Sequence, residues 1–183
     1  MNFETQPVIA AVRDKESFFA ACDSVCEVIF LLSANILELE SLARVAHEKS
    51  KKLFLHIDLA EGVGKDAFGV RHIAALGVDG IVSTRVSMIK AARECGMQCV
   101  QRFFMVDSRS IDTALESIRA ARPDMIEIMP GIATKAITRL SRHVSVPIIA
   151  GGLLDEKKEI FAALGAGAAA VSTGAAALWK LEY

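Results

Sequence analysis

Short apolar runs alternate with helix-like segments along the whole chain, and this alternation most strongly constrains the fold. Eight runs have the length, the β-branched residues and the flanking turn residues of buried strands. They are Pro7–Val12, Glu27–Leu32, Leu53–Leu59, Gly80–Ser83, Gln98–Val106, Met125–Met129, Pro147–Ala150 and Ala168–Ser172. Because strands and helices alternate, the pattern favours a parallel sheet with right-handed crossovers.

The number of repeats predicts an α/β fold in which eight strands close into a compact TIM-like (β/α)8 barrel. A length of 183 residues is enough for one substantial core and too short for two ordinary domains. Residues 1–183 are therefore predicted to form a single barrel domain. Since such barrels usually have about 200 residues or more, we expect short or missing helices after the third, sixth and eighth strands. The alternative is an open doubly wound parallel sheet, which also binds ligands at the carboxyl ends of its strands.

The composition limits the function classes. Apolar residues make up 52% of the chain, which suits strands buried on both faces, and the net charge of −1 gives no overall electrostatic attraction for nucleic acid. No apolar run approaches the about 20 residues that cross a bilayer. The N-terminal segment also lacks the pattern of a signal peptide. A cytoplasmic location is expected.

The four cysteines form two pairs of equal spacing, Cys22 with Cys26 and Cys95 with Cys99. Equal spacing is compatible with zinc binding. However, each pair brackets the end of a helix and the start of the next strand, and the two pairs belong to distant repeats. We therefore interpret the cysteines as buried free thiols and expect no metal site.

Several polar residues are expected to cap helices that carry apolar side chains. Asp14, Ser87, Ser110 and Asp155 are the candidate caps. The helix after Asp14 is expected to carry Phe18, Phe19 and Cys22. The helix after Asp155 is expected to carry Ile160, Phe161 and Leu164 on one face.

The stretch Pro147–Trp179 contains the strongest indication of a ligand. Two consecutive strands end in small residues, each next to a helix N-terminus. Backbone N–H groups and the helix dipole there favour an anion, and the loops after strands seven and eight of (β/α)8 barrels are a recurrent phosphate site. The predicted phosphate-binding residues are Gly151, Gly152, Ser172, Thr173 and Gly174. The alternative is that the glycines serve only tight turns and close packing.

Four charged or titratable side chains interrupt the apolar strands, namely His56, Asp58, Arg102 and Glu127. Burial of such groups is costly unless they are paired. His56 and Asp58 have the same parity in the third strand, so we expect them on the same side. Structural alternatives exist, in which Asp58 pairs with Arg102, His56 is a core histidine and Glu127 points outward to a basic residue. We expect at least some of the four to line one polar pocket.

Four segments carry a resemblance to a known family: HIDLAEGVGKD (56–66), QRFFMVDS (101–108), RPDMIEIMPG (122–131) and PIIAGGL (147–153). In sequence and order they resemble the glycerol-3-phosphate-responsive antiterminators. The resemblance implies a TIM-like barrel and a regulatory protein that binds glycerol 3-phosphate and acts on leader mRNA of glycerol-utilisation genes. The matching positions near the barrel mouth are His56, Asp58, Glu61, Arg102, Glu127, Pro130, Gly131, Gly151 and Gly152.

A ligand site follows from the glycine turns and the resemblance together. The phosphate of glycerol 3-phosphate would lie on the small residues of the last two strands. The polyol and the rest of the pocket would contact His56, Asp58, Glu61, Arg102, Glu127 and Gly131. No catalytic residue and no cofactor are expected for a sensor.

Three hypotheses of function remain at this point. An RNA regulator would use a basic outer face, with three candidates: Lys49, Lys51 and Lys52; Arg119 and Arg122; or Arg139, Arg142 and His143. A phosphate-binding isomerase, aldolase or synthase is the alternative, with Glu127 or Asp58 as base and His56 as acid. The third is a barrel that acts through protein partners or as a homo-oligomer. In that case the C-terminal residues could form an interface. They could instead form a lid under the barrel or pack onto the last strand. These residues are Leu178, Trp179, Leu181 and Tyr183.

Overall fold

The computed structural model of the chain describes residue 3 and residues 5–180. Eight parallel strands form a closed barrel in sequence order, each paired with the next and β8 paired with β1. The strands are β1 (Val8–Val12), β2 (Val28–Leu31), β3 (Lys52–His56), β4 (Gly80–Ser83), β5 (Gln98–Phe104), β6 (Met125–Met129), β7 (Ile148–Gly151) and β8 (Ala170–Thr173). The prediction of a TIM-like barrel is confirmed, and the open sheet is excluded by the β1–β8 pairing.

Within the described residues, seven α-helices alternate with the strands. They are α1 (Lys15–Cys22), α2 (Ile36–Glu48), α3 (Ala67–Ala75), α4 (Val86–Glu94), α5 (Arg109–Ala121), α6 (Thr134–Ser141) and α7 (Lys157–Gly165). An α-helix follows each of the first seven strands. Those after β3 and β6 have only nine and eight residues, which agrees with the expectation of short or missing helices at these places. After β8, the residues described up to Lys180 form only a 3-10 helix, Ala176–Lys180. The chain remains short because most of its helices have only two or three turns.

The third strand is shorter than predicted. It ends at His56, and Ile57–Leu59 form a 3-10 helix, so Asp58 does not share a strand face with His56. The fifth strand likewise ends at Phe104 rather than at Val106, and β8 begins at Ala170 rather than at Ala168. The helical turn after β3 redirects the carboxylate of Asp58 toward β4.

Three of the four predicted helix caps are wrong. The N-cap of α7 is Glu156, which forms a capping box with Glu159, rather than Asp155. Ser87 and Ser110 lie inside their helices. Phe19 and Phe161 are about half exposed, whereas Phe18, Cys22 and Ile160 are buried. Asp14 caps α1 as expected.

The core has two layers. One lies between the strands and the surrounding helices, and the other fills the barrel with side chains such as Phe30, Phe54, Val100 and Ile149. Side chains alternate between the two layers along each strand. Toward the carboxyl ends of the strands, the side chains that point into the barrel become polar or small. These inward-facing residues are His56, Arg102, Glu127, Gly151 and Ser172. This end is called the barrel mouth below.

The C-terminal segment packs onto the last strand. Trp179 is buried, and its indole N–H donates to the carbonyl oxygen of Thr173 at 2.8 Å. Leu178 is buried as well, whereas Leu181 and Tyr183 lie outside the described residues. None of the helices in the described part of the chain is long and apolar enough to cross a membrane.

The cysteines are free thiols. Cys22, Cys26 and Cys99 are buried, while Cys95 is only half-buried, which differs from the expectation for that residue. Across the described residues, no group of three or more His, Cys, Asp or Glu side chains is placed to hold a metal ion.

Candidate functional site

A buried ion pair occupies the barrel mouth. Strand register places Arg102 of β5 beside Glu127 of β6, and Arg102 Nε lies 2.6 Å from Glu127 Oε2. The other carboxylate oxygen of Glu127 accepts a hydrogen bond from Ser172 Oγ of β8 at 2.6 Å. The alternative of an ion pair between Asp58 and Arg102 is therefore wrong, because Arg102 pairs with Glu127. The alternative of an outward-pointing Glu127 is also wrong, because its side chain points into the barrel.

Gly151 of β7 makes room for this network. A Cβ atom at this position would lie 2.3 Å from Glu127 Oε1 and 2.6 Å from Ser172 Oγ. The carboxylate and the hydroxyl therefore pack directly against the β7 backbone. This places Gly151 beneath the ion pair rather than on the surface of the predicted phosphate site.

His56 is the one site side chain with a buried, unused hydrogen-bonding atom. Its side chain is 5% exposed, and within the described residues its Nδ1 atom has no hydrogen-bond partner. Burial, and next the positive charge of Arg102, lower the pKa of His56 to about 4. The ring is thus neutral at pH 7 and can offer one donor and one acceptor.

Asp58 is held by the end of β4. Its carboxylate accepts hydrogen bonds from Ser83 Oγ, from the Thr84 N–H and from Thr84 Oγ1, each within 2.9 Å. Arg85 Nε lies 3.7 Å from Asp58 Oδ1. Although burial acts to raise the pKa of this carboxyl, the donors from Thr84 and Ser83 hold it below its ordinary value. Asp58 therefore organises the β3–β4 side of the mouth.

A small polar cavity opens at the mouth beside the ion pair. Its volume is about 190 Å³, which is less than that of the usual drug-sized pocket. Its lining residues are Ala11, Arg13, Leu32, Arg102, Glu127, Met129, Gly152, Leu153, Leu154, Asp155, Ser172, Thr173 and Gly174. Six of the predicted site residues are thus brought together here.

Two amides of the glycine turns are not used by the protein in the described part of the chain. Within the described residues, the N–H groups of Gly152 and Gly174 donate to no protein acceptor. The hydroxyl of Thr173 is occupied, since it donates to the Leu154 carbonyl oxygen at 2.6 Å and accepts the Ala175 N–H. Backbone amides of this kind are donors for an anion.

The helix dipole contributes less than the sequence suggested. The amides of Asp155 and Glu156 before α7 donate to the carboxylate of Glu159, so acidic side chains already occupy that N-terminus. The segment after β8 is only a five-residue 3-10 helix. Donors for an anion are therefore confined to the loop amides and the arginines of the cavity.

Five predicted residues do not line this cavity, namely Gly151, His56, Asp58, Glu61 and Gly131. Glu61 lines a neighbouring cavity of about 160 Å³, together with Ser33, Asn35 and Glu38. Gly131 is buried, and its N–H donates to the Gly152 carbonyl oxygen at 2.9 Å. A Cβ atom there would lie 2.6 Å from Leu154 Cδ1, so Gly131 serves close packing of the β6 and β7 loops.

The predicted set did not include Arg13 and Leu153. Arg13 directly follows β1 and lines both cavities. Its position at the carboxyl end of a strand was the sequence feature that could have identified it as a site residue. Leu153 follows Gly152, and the two residues have φ angles of +57° and +74°. An apolar side chain in a left-handed conformation leaves no recognisable sequence pattern.

The closed parallel barrel and its polar mouth define a TIM-like (β/α)8 barrel. Within this class, the chain belongs to the glycerol-3-phosphate responsive antiterminator family, whose model matches residues 8–179. This confirms the resemblance carried by the four segments.

Relatives match over nearly the whole chain. The uncharacterized protein YgcP of Escherichia coli K12 is 36% identical over 176 residues, which cover 96% of this chain and 92% of that protein. The glycerol uptake operon antiterminator regulatory protein of Listeria monocytogenes is 28% identical, with a TM-score of 0.90 over 95% of both chains. A glycerol uptake operon antiterminator-related protein of Thermotoga maritima is 28% identical, with a TM-score of 0.86 over 97% of this chain and 99% of that one. A deoxyribose phosphate aldolase of Aeropyrum pernix, 13% identical with a TM-score of 0.72 over 94% of this chain and 87% of that one, shows the fold alone.

Proposed function

We propose that this protein is a regulator that binds glycerol 3-phosphate at the barrel mouth and acts on leader mRNA of glycerol-utilisation genes to prevent premature termination. The observation that carries the proposal is the family match over residues 8–179. The Listeria and Thermotoga structures, named for a glycerol uptake operon, support it. The small size and the polar lining of the cavity are compatible with a three-carbon phosphate.

The phosphate would lie between the two glycine turns and the arginines. The N–H groups of Gly152 and Gly174 supply uncommitted donors. Arg13 and Arg102 line the same cavity and supply positive charge. Because Glu127 is paired with the charge of Arg102 and accepts a hydrogen bond from Ser172, its carboxylate opposes a phosphate less than a free one would.

A hydroxyl of the ligand would use His56. Its Nδ1 atom is buried and unpartnered in the described residues, so a ligand O–H or an ordered water can satisfy it. The carboxylate of Asp58 already accepts three hydrogen bonds. We therefore assign Asp58 to the framework of the mouth. Since His56 is not among the residues that line the cavity, we propose that it meets a ligand hydroxyl through an ordered water.

The arrangement favours a sensor over an enzyme. Arg102, Glu127 and Ser172 are bonded to one another rather than poised on an open reacting centre. In the described strands the one lysine is Lys52, at the exposed start of β3, so no strand lysine is available to form a Schiff base at the mouth. We propose that the protein is not an enzyme and needs no cofactor.

Ligand binding is tested by calorimetry and thermal shift with glycerol 3-phosphate, using glycerol and inorganic phosphate as partial ligands. At a concentration about 100-fold above Kd, a specific ligand stabilises the fold by roughly 2.7 kcal/mol. Arg13→Met should weaken binding by about tenfold or more, from the loss of one charge-assisted contact. Arg44→Met, an exposed arginine on α2, is the matched control.

The regulatory role is tested by filter binding of a leader transcript with and without glycerol 3-phosphate. Ligand-dependent affinity supports the proposal, whereas no binding even at low salt overturns its RNA part. Turnover of a phosphorylated triose that disappears in Glu127→Gln would instead identify an enzyme.

A further inference from the structure

We propose that the RNA contact surface of this protein is the exposed side of α6 and of the turn that follows it. This surface, called the α6 basic face, consists of Lys135, Arg139, Arg142 and His143. The inference rests on the proposed function as an RNA regulator and assigns that function to one place on the barrel.

The first observation is a local absence of acidic residues. The 27-residue span Ile128–Leu154 contains no Asp or Glu, although the chain has 22 such residues in 183. All four residues of the α6 basic face lie inside this span. The nearly neutral net charge of the chain therefore hides a basic segment, which suits contact with RNA phosphates.

The second observation is the geometry of the helix. Lys135, Arg139 and Arg142 follow the spacing i, i+4 and i+7, which places them on one side. All three are exposed, while Ile137 and Leu140 are buried against the barrel. Like charges at this spacing repel one another in an isolated helix, so their arrangement does not favour folding. A polyanion bound on this side would remove that repulsion.

The third observation is that these cations are not engaged elsewhere. Among the ion pairs of the described residues, none includes Lys135, Arg139 or Arg142. The ring of His143 is oriented by a hydrogen bond between its Nδ1 and the Arg139 carbonyl oxygen at 2.7 Å.

The other two basic clusters are less suited to RNA. Lys49 pairs with Asp23 at 2.7 Å, and Lys51 donates to the Ser24 carbonyl oxygen, so the cluster at the end of α2 is already tied to α1 and its turn. On α5, Arg119 shares its helix with Asp112 and Glu116. The α6 basic face is the one without acidic neighbours in its own segment.

The α6 basic face is also one loop away from the ligand cavity. The chain runs from Glu127 and Met129 of β6 through Pro130–Ala133 into α6. Within that loop, the Gly131 N–H donates to the Gly152 carbonyl oxygen at 2.9 Å. A ligand held by the Gly152 amide would thus be one hydrogen bond away from the segment that leads into the RNA surface, which offers a physical basis for ligand-dependent binding.

The test compares two double variants in filter binding of a radiolabelled transcript of the glycerol-utilisation leader, at several salt concentrations. Arg139→Gln with Arg142→Gln removes two cations from the α6 basic face. Arg44→Gln with Arg93→Gln removes two exposed arginines from α2 and α4 and is the matched control. For single-stranded RNA, loss of two phosphate contacts should lower the slope of log Kobs against log salt by about 1.4.

The expected result is weaker RNA binding with a smaller salt slope for the α6 variant alone, while its thermal shift with glycerol 3-phosphate stays that of the wild type. Equal affinity and slope in all three proteins would overturn the α6 assignment and leave the proposed function standing. Absence of RNA binding by the wild type itself would overturn the proposed function instead. An equal loss in both variants would indicate diffuse charge and would also overturn the assignment.

Discussion

Arg102 and Glu127 form a buried ion pair across the neighbouring strands β5 and β6, with the Arg102 Nε atom 2.6 Å from Glu127 Oε2. The side chains are 8% and 0% exposed. Ser172 of β8 donates to the second carboxylate oxygen, so one glutamate connects three strands at the mouth. The same pair lines the candidate ligand cavity, which means that stability and binding depend on the same atoms.

Removal of Glu127 should be strongly destabilising. Glu127→Ala leaves the guanidinium of Arg102 buried without its counter-ion, and breaking a buried pair in this way costs about 3–5 kcal/mol of unfolding free energy. Urea unfolding of the wild type and the variant measures the loss.

A double variant distinguishes the loss of the whole ion pair from the cost of leaving one buried charge without its partner. Arg102→Met with Glu127→Met replaces the pair by apolar side chains, and such replacements are often neutral for stability. We expect the double variant to recover most of the stability lost in Glu127→Ala while it loses affinity for glycerol 3-phosphate. A double variant as unstable as Glu127→Ala would show that the pair does more than neutralise charge.

Gly151 should not tolerate a methyl group. A Cβ atom at this position lies within 2.6 Å of both Glu127 Oε1 and Ser172 Oγ, and neither atom can retreat without breaking its hydrogen bond. Gly151→Ala should therefore lose about 1–3 kcal/mol, as overpacked cores do. Gly165→Ala at the end of α7 is the control, since a Cβ there meets no atom within 4 Å and alanine favours the helix by up to about 1 kcal/mol. Chemical denaturation of both variants should give shifts of opposite sign.

His56 should make the unfolding free energy depend on pH in the acid range. Burial, and next the charge of Arg102, lower the pKa of His56 to about 4, below the ordinary value of 6.5. Between these two values the unfolded chain binds a proton that the folded chain does not. Stability from His56 is thus fully present above about pH 6.5 and is lost as the pH falls toward 4.

Substitution of the ring isolates this contribution. Urea unfolding between pH 4.5 and 7.5 should show a smaller rise of stability with pH in His56→Gln than in the wild type. His72→Gln, on the exposed side of α3, should keep the wild-type pH dependence. Parallel curves for the wild type and His56→Gln would contradict a neutral buried ring.

The fold could be predicted from the sequence because its signals are local and repeated. Strand-like runs with turn residues between them locate all eight strands, and a closed barrel follows from their number. Strand ends were less predictable, because the carboxylate of Asp58 is held by Ser83 and Thr84, 25 and 26 residues further along. A hydrogen bond to a distant strand end does not change the pattern of apolar and polar residues in the third strand-like run, Leu53–Leu59.

The sequence indicated which residues belong to the candidate site more reliably than which of them form ion pairs with one another. His56, Arg102 and Glu127 were recognisable as polar side chains inside apolar strands. The choice of Glu127 rather than Asp58 as the partner of Arg102 depends on the β5–β6 register, which positions the two side chains side by side. The occupied N-terminus of α7 could not be inferred from the glycines, because it depends on the Glu159 carboxylate reaching back to Asp155 and Glu156.

The four thiols should differ widely in reactivity. Burial raises the pKa of Cys22 and Cys26, and it raises the pKa of Cys99 to about 12, where the carboxylate of Asp124 also disfavours the thiolate. Since the thiolate is the reactive form, these three should react slowly with a disulfide reagent in the native protein. The half-buried Cys95 should react first. We expect one rapidly reacting thiol in the native wild type, none in native Cys95→Ser, and reaction of all four wild-type thiols in denaturant. Several rapidly reacting thiols in the native protein would contradict this and would show that the ends of α1 and α4 open readily.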